Sequence, residues 1–305
     1  MSCSFSPRLR SAAGLVVALT AGVSAQAAVV DLGAAGSFNA FVFGSFSGVN
    51  GATQGPLAAG GSVTLSSWAV NANASSNVGG YAMVVGGSFM GGNGSVNGGK
   101  SYVGGAVAGN FTQGTVDSGA SPVDFTAAAS RLKGLSTTVA TASKTGSYAT
   151  QYGGGYFTGT GADVEVFNLS AADFSSAGWF STANIKQGAT VIVNVAGSAL
   201  QMNGTLNPGQ LGSNVLFNFY EASSLSLRSI DASVLAPFAA VSGSNGSLTG
   251  TLVASSFQGL GGYGLRQDTF TPVSIITAVP EPGTWALMAG GLLAVAALRR
   301  RQRSA

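Results

Sequence analysis

Two carboxylates, Asp163 and Glu165, come nearest to a catalytic or metal-binding pair in type and spacing. They lie two positions apart in a segment that reads as a β-strand, residues 163–167, so their side chains should share a face. Such a pair could bind calcium or act in glycoside hydrolysis. We favour the alternative, a solvent-facing strand edge. The next acids, Asp173 and Glu221, fit no metal motif, and the sequence has no EF-hand or nonapeptide calcium repeat.

Other catalytic chemistry has little support in the residue types. The sequence contains no histidine, which excludes Ser-His-Asp and Cys-His catalysis and histidine metal sites. Its single cysteine, Cys3, lies near the N-terminus and offers neither a disulfide nor an exported thiol nucleophile. Gly99-Lys100-Ser101 lacks the first glycine of a phosphate-binding loop. We therefore predict no catalytic residue, no cofactor, no metal and no enzyme activity.

The charge of the chain is concentrated at its ends. The net charge is +3, but residues 28–278 hold seven basic and nine acidic residues, about −2. No basic patch with interleaved aromatic residues remains in this central region. The composition therefore predicts no nucleic-acid partner.

The N-terminus reads as a secretory signal peptide, residues 1–27. Arg8 and Arg10 precede an apolar core at residues 12–22, and Ala25 and Ala27 form a small-x-small cleavage site. We predict a signal helix here and cleavage by signal peptidase after Ala27. The protein is thereby secreted through the inner membrane.

The C-terminus, residues 279–305, has three parts in a fixed order. Pro280, Glu281 and Pro282 cannot continue a helix. Residues 284–298 form an apolar run shorter than the ~20 residues that usually span a bilayer. Four arginines then mark the cytoplasmic side as a membrane stop, namely Arg299, Arg300, Arg301 and Arg303. This predicts a short hydrophobic helix with transient inner-membrane association.

This tail resembles the PEP-CTERM sorting signal of Gram-negative bacteria. The matching residues are the Pro280-Glu281-Pro282 motif, the apolar run with Trp285 near its start, and the terminal arginines. The resemblance implies recognition and removal by an exosortase, a membrane protease-transpeptidase, and passage to the cell surface or extracellular matrix. The alternative is an ordinary C-terminal membrane anchor that is retained.

Between the two ends lies a diffuse repeat. Gly60-Gly61, Gly86-Gly87 and Gly104-Gly105 each follow a short apolar segment and precede another. Imperfect repeats of this kind predict a β-solenoid, whose stacked coils bury a continuous apolar column. We expect the glycines to supply corners with positive φ. A β-sandwich or a glycine-rich linker is the alternative.

One amphipathic helix interrupts the strands at about residues 122–145. Ser121 is the candidate N-cap and Pro122 the first helical residue. Apolar residues then recur at helical spacing, namely Phe125, Ala128, Leu132, Leu135 and Val139. Further strands follow, and residues 258–278 are predicted to be a final strand and a tether to the tail.

Residues 28–257 resemble the choice-of-anchor A family of bacterial surface proteins. The resemblance is carried by residues 32–44, by the Gly-Gly repeats, and by the segments 215–220 and 234–237. It is also distantly similar to ice-binding and adhesive β-solenoids. The resemblance implies a mainly-β, interrupted right-handed solenoid flanked by one helix, and a surface location, but no established activity.

These observations predict an exported, non-enzymatic protein, adhesive or structural, in a biofilm or exopolysaccharide. Surfaces rich in Ser, Asn and Thr, with Tyr148, Tyr152 and Tyr156, suit contacts with extracellular polysaccharide or matrix. One alternative is an ice-binding protein, which needs threonines in register, although the Thr-x-Thr triplets at 158, 249 and 269 lie far apart. A second is a polysaccharide-active solenoid enzyme, which needs clustered Asp, Lys or Arg.

Overall fold

The computed structural model describes residues 24–74, 78–207, 209–279 and 290–292. Residues 26–278 form one compact unit with its own core, while residues 290–292 form a helical turn in a second unit. The predicted signal helix, sorting motif, tail helix and terminal arginines lie largely or wholly outside the described residues. Within the described part of the chain, no helix has the length and apolarity needed to cross a membrane.

Strands make up about half of the compact unit. Before the long helix, the described strands are β1 (Ser24–Val30), β2 (Ala40–Val42), β3 (Phe46–Thr53), β4 (Leu57–Ala59), β5 (Val63–Val70), β6 (Tyr81–Val85), β7 (Phe89–Val96), β8 (Lys100–Val103), β9 (Val107–Gly109) and β10 (Val116–Asp117). A 3-10 helix, Gly33–Ser37, lies between β1 and β2.

The long helix α1 spans Phe125–Ala140, and strands resume after it. They are β11 (Ser147–Gln151), β12 (Gly154–Thr158), β13 (Val164–Leu169), β14 (Trp179–Ala183), β15 (Thr190–Val195), β16 (Ala199–Gln201), β17 (Asn214–Asn218), β18 (Ser224–Leu227), β19 (Ile230–Asp231), β20 (Ser233–Ser244), β21 (Ser247–Thr249), β22 (Leu252–Leu260), β23 (Gly264–Arg266) and β24 (Val273–Val279). A short helix, α2 (Ala171–Ser176), follows β13.

Parallel strands stack coil upon coil into a β-solenoid, which confirms the predicted fold class. The first sheet has the order β13, β15, β17, β20, β22, β2, β4, β6, β8, β10. The second has the order β16, β18, β20, β22, β3, β5, β7, β9. A third, narrower sheet joins β19, β21 and β23 to the ends of β3, β5 and β7.

The stacking order departs from the chain order at one seam. β22, from the C-terminal half, pairs with β2, from the N-terminal half, so that Phe41 lies opposite Val253. The buried side chain of Asn39 ties this seam by donating to the backbone oxygens of Gly250 (2.8 Å) and Arg266 (3.0 Å). The coils that come first in the sequence are therefore stacked on the coil that comes last.

Helix α1 connects the two ends of this interrupted stack and packs on the outward side of the first sheet. Leu132 and Val139 are buried there, and Phe125, Ala128 and Leu135 pack beside them. These are the residues whose helical spacing predicted the buried face. The predicted apolar stripe is thus confirmed, although α1 is shorter than the predicted 122–145.

The predicted N-cap is wrong by three positions. Asp124 caps α1 by accepting a hydrogen bond from the backbone N–H of Ala127 at 2.9 Å. Ser121 instead accepts from the N–H of Val123 at 3.2 Å in the preceding turn. Ser and Asp are both favoured caps, so the sequence alone did not distinguish them.

A ladder of three asparagines, of which Asn194 and Asn218 are buried, fixes the second half of α1 to the sheet. Asn168, Asn194 and Asn218 are in register on β13, β15 and β17. Asn218 donates to Asn194 Oδ1 and to the backbone oxygen of Ser136, both at 2.9 Å. Asn194 donates to Asn168 Oδ1 and to the backbone oxygen of Val139. Each buried amide thus has the partners that its burial requires.

The Gly-Gly corners have a different cause from the one predicted. None of these six glycines has a positive φ. No larger residue fits at these positions, because the neighbouring coil approaches closely. A Cβ on Gly86 would lie 2.4 Å from the backbone oxygen of Gly60, and a Cβ on Gly104 would lie 2.5 Å from the backbone oxygen of Gly86. Positive φ occurs instead at another corner, at Asn50, Ser67 and Asn93.

Aromatic rings fill the space above other glycines in the core. The buried ring of Trp68 lies over the neighbouring coil, where a Cβ on Gly48 or on Gly51 would approach it to 2.5 Å. Phe111 covers Gly91 and Gly94 in the same way. A large ring on one coil is therefore accommodated by glycines on the next.

Two glycine substitutions should distinguish a glycine that packing requires from one that it does not. Gly134→Ala in α1 meets no atom within 4 Å and should raise the free energy of unfolding by about 0.5–1 kcal/mol, because alanine is the better helix former. Gly48→Ala should lower it by roughly 1–3 kcal/mol, since the buried indole has no room to move. Urea denaturation of both variants measures this, and equal effects would contradict the packing argument.

Candidate functional site

Asp163 and Glu165 do not form a carboxylate pair. Asp163 is exposed and pairs with Lys186 at 2.5 Å. Glu165 is fully buried, so the predicted solvent-facing position is wrong for this residue. The two carboxylates differ in surroundings because β13 begins only at Val164.

Glu165 serves the local fold. Its Oε1 accepts from the backbone N–H groups of Thr160 (2.6 Å) and Ala162 (3.1 Å) and from the Thr160 hydroxyl (3.0 Å), and its Oε2 accepts from the Thr145 hydroxyl (2.6 Å). Burial alone would raise the pKa of Glu165, but these hydrogen bonds outweigh it and hold the pKa below its usual value. The carboxylate thus fastens the turn before β13 to the segment that leaves α1.

The described residues contain no group of three or more acidic, histidine or cysteine side chains that could hold a metal ion. The outer faces of the solenoid are therefore the remaining candidate surfaces. The first sheet is covered by α1. The outward side of the second sheet, which we call the open face, is not covered by any helix in the described part of the chain.

The open face presents two columns of small or uncharged side chains across eight strands. The first column runs Ala199, Ser224, Ala240, Ser256, Ser45, Ser62, Ser88, Ala106, and the second runs Gln201, Ser226, Ser242, Gln258, Ser47, Thr64, Met90, Ala108. Neither column contains an acidic or basic residue. Adjacent members are separated by the strand spacing of about 4.8 Å.

Serine hydroxyls in part of the first column form hydrogen bonds with the backbone of the next coil. Ser62 Oγ accepts from the N–H of Ser88, and Ser88 Oγ accepts from the N–H of Ala106, each at 3.2 Å. A hydroxyl that accepts one bond can still donate its own proton outward. The column therefore keeps its order while offering hydrogen-bonding groups to a ligand.

Two hollows lie on the open face. The larger, of about 480 Å³, is lined by polar and small groups of β16, β18 and β20 together with Ser175 of α2. Gln201 and Asn203 stand at its edge, where the Gln201 amide donates to Asn203 Oδ1 at 3.0 Å. The smaller, of about 270 Å³, lies between β5, β7 and β9 and includes Met90 and Phe89. Hydroxyl and amide groups in shallow hollows suit neutral, hydroxyl-rich ligands.

The three predicted tyrosines lie in one hairpin, β11 and β12 with their turn, but do not form a single platform. Tyr148 is partly buried and its hydroxyl donates to the backbone oxygen of Asp173, whereas Tyr152 is almost fully exposed in the turn between β11 and β12. Tyr156 packs edge-on against Trp179, with ring centroids 5.2 Å apart. Trp179 is 43% exposed and is the aromatic surface that the sequence reading missed.

The threonine triplets do not form a column of residues in register on the open face. Thr160 donates to Glu165, and the buried Thr251 donates to the backbone oxygen of Phe38 at 3.1 Å. Thr269 and Thr271 lie in the segment before β24. The first column in register on successive coils instead consists of serine and alanine.

A family profile for the ice-binding-like adhesive domain matches residues 31–265, more than two thirds of the chain. The chain belongs to this family. The PEP-CTERM protein-sorting motif matches residues 278–301, which include Pro280, Glu281 and Pro282. An adhesive domain followed by this motif supports an exported surface protein. No curated protein and no solved structure matched the chain.

Glu165→Gln should destabilise the protein by about 1–3 kcal/mol at pH 7, because an amide nitrogen then faces donors that the carboxylate had satisfied. The folded-state pKa of Glu165 lies below the unfolded value of about 4.3. Its stabilisation is therefore present above that value and is lost as the pH falls through the folded pKa. Urea denaturation should show the gap between wild type and variant shrinking on acidification.

Asp163→Asn is the matched control. Its carboxylate is exposed and forms a surface ion pair, so the substitution should change stability by less than about 1 kcal/mol. A gap for Glu165→Gln that stays constant from pH 7 to pH 3 would contradict the role assigned to the carboxylate.

Proposed function

We propose that this protein is a non-enzymatic adhesin-like component of the cell surface or extracellular matrix, and that it binds extracellular polysaccharide through the open face. The observation that carries the proposal is the pair of uncharged columns on eight parallel strands. A long polymer with regularly repeated hydroxyls could contact many coils at once. Weak contacts that repeat along such a surface sum to useful avidity.

The lack of charge in the two columns also supports a neutral polymer as ligand. Salt bridges would select an anionic or cationic partner, while serine and glutamine groups exchange hydrogen bonds with sugar hydroxyls. Trp179, on β14 outside the open face, is 43% exposed and could add a separate stacking contact, because an aromatic face is an apolar platform.

Ice binding is the second candidate, and the same regular spacing favours it. Small side chains in register on parallel strands form a repetitive lattice of groups. Against it, the open face has one threonine in its two columns, Thr64, and carries the long side chains of Gln201, Gln258 and Met90.

The polysaccharide-active enzyme has less support. The one carboxylate pair suggested by the sequence is separated, with Glu165 buried among its hydrogen-bond donors and Asp163 exposed. No group of three or more acidic side chains that could hold a metal ion replaces it in the described residues.

We propose further that the tail is an exosortase substrate and that signal peptidase removes residues 1–27. The match at residues 278–301 supports the first step. Strand β24 runs to Val279, so Pro280 follows directly after the last described strand. This arrangement fits a folded domain that is followed by a cleavable sorting signal.

Ala240→Lys tests the ligand site. Ala240 is exposed in the first column and lines the larger hollow, so a lysine should obstruct it and lower the binding of exopolysaccharide from the producing cells at least about tenfold. Thr126→Lys on the exposed side of α1 adds the same charge away from the open face and should leave binding unchanged. Equal binding by both variants in a co-sedimentation assay would exclude the open face.

Thermal hysteresis and ice recrystallisation inhibition, measured on the same two variants, distinguish the candidates. Activity in wild type that Ala240→Lys abolishes would assign the open face to ice. Polysaccharide binding with no effect on ice growth would assign it to the polymer.

Deleting residues 280–305 tests the sorting step separately. The truncated protein retains the entire compact unit, so it should still be exported but should no longer reach the cell surface. Fractionation followed by immunodetection on intact cells measures this. Unchanged surface display would rule out the tail as the address.

A further inference from the structure

The two ends of the solenoid stack differ in how their core is closed. Beyond β13, a three-stranded sheet of β11, β12 and β14 folds over together with α2. Phe157, Phe174 and Phe180 are buried beneath this cap. Solenoids need such caps because a terminal coil otherwise leaves its inner residues without a neighbour.

The opposite end, which we call the bare end, is formed by residues 100–117 and has no comparable cap in the described chain. Val107 stands in the same inward column as Val63 and Phe89, yet it is 47% exposed while they are buried. Val116 is 40% exposed, although Met83, in its column on β6, is fully buried. Two apolar core positions are therefore left open to solvent.

The bare end also has free strand edges. Among the described strands, β9 pairs only with β7, and β10 pairs only with β8. Proteins usually blunt such edges with proline, unpaired charge or a bulge. Residues 100–117 contain no proline, and their two charges, Lys100 and Asp117, neutralise each other at 3.3 Å.

We propose that the bare end is a dimer interface, at which β9 pairs in antiparallel fashion with β9 of a second copy of this chain. An edge strand placed antiparallel to its own copy is self-complementary, as a two-fold interface requires. The local neutrality removes the charge repulsion that would oppose two identical surfaces. Val107 and Val116 of both copies would then be covered.

A second copy fits this end better as a closed pair than as a growing fibre. Head-to-tail growth needs an open edge at the far end of the stack. There the segment before β11 covers β13, since Thr145 and Gly146 donate to the backbone oxygen of Val166, and α2 packs against β16. One open end per chain limits the assembly to two copies. The pairing leaves the open face of each copy accessible.

Cysteine cross-linking of the full chain tests this proposal. In a Cys3→Ser background, Ala108→Cys places one thiol on β9, where directly opposed Cα atoms of an antiparallel pair lie about 4.5–5.5 Å apart and thus within disulfide range. A short bismaleimide tolerates an offset of register. We expect at least about tenfold more cross-linked dimer than for Ala240→Cys, an equally exposed control in the middle of the stack.

Val107→Lys, added to the Ala108→Cys chain, should abolish most of this cross-linking. Val107 is nearly half exposed, so the fold should survive, and an unchanged far-UV circular dichroism spectrum checks this. Sedimentation velocity should show the corresponding shift from dimer to monomer. Cross-linking that is equal at positions 108 and 240, or unaffected by Val107→Lys, overturns the proposal, and so does a ladder of species larger than a dimer.

Discussion

Each coil of this molecule can bury its apolar residues only by stacking on another coil. The requirement for close stacking determines where the chain uses glycine. Corner glycines such as Gly86 are present because the backbone of the next coil lies within van der Waals contact, and Gly48 is present because the Trp68 ring occupies the space of a side chain. The positions at which close packing excludes a side chain therefore specify the fold as much as the residues of the core do.

The interruption of the stack gives the two broad faces different roles. One face receives α1, which returns the chain from one end of the solenoid to the other and is held by the Asn168, Asn194 and Asn218 ladder. On that face the buried amides of Asn194 and Asn218 have hydrogen-bond partners. The open face carries the same strand geometry with serine and alanine instead, so it remains available to solvent and ligand.

The sequence predicted the features that depend on local spacing. The Gly-Gly repeats indicated stacked coils, and the apolar positions from Phe125 to Val139 gave the buried side of the helix. The seam between β2 and β22 could not be predicted in this way, because pairing between strands so distant in sequence depends on the tertiary packing.

In the candidate site, too, features that depend on tertiary packing could not be predicted from local spacing. The burial of Glu165 depends on donors at Thr145, Thr160 and Ala162, whose convergence no periodicity reveals. The columns of the open face appear only when eight strands are placed in register, since each strand alone reads as an ordinary alternation of small and apolar residues. Trp179 was missed because a single exposed aromatic in a glycine- and serine-rich segment gives no pattern.

The seam has a consequence for the order of events during synthesis and export. The hydrogen bond from Asn39 to Gly250 joins residues 211 positions apart, so the first coils made cannot be completed until the last have been made. Contacts of such separation form late, since loop closure must precede them. An exported chain that crosses a membrane before it folds would gain from this delay. Its solenoid closes only when the C-terminal coils, which travel last, have arrived beside the N-terminal ones.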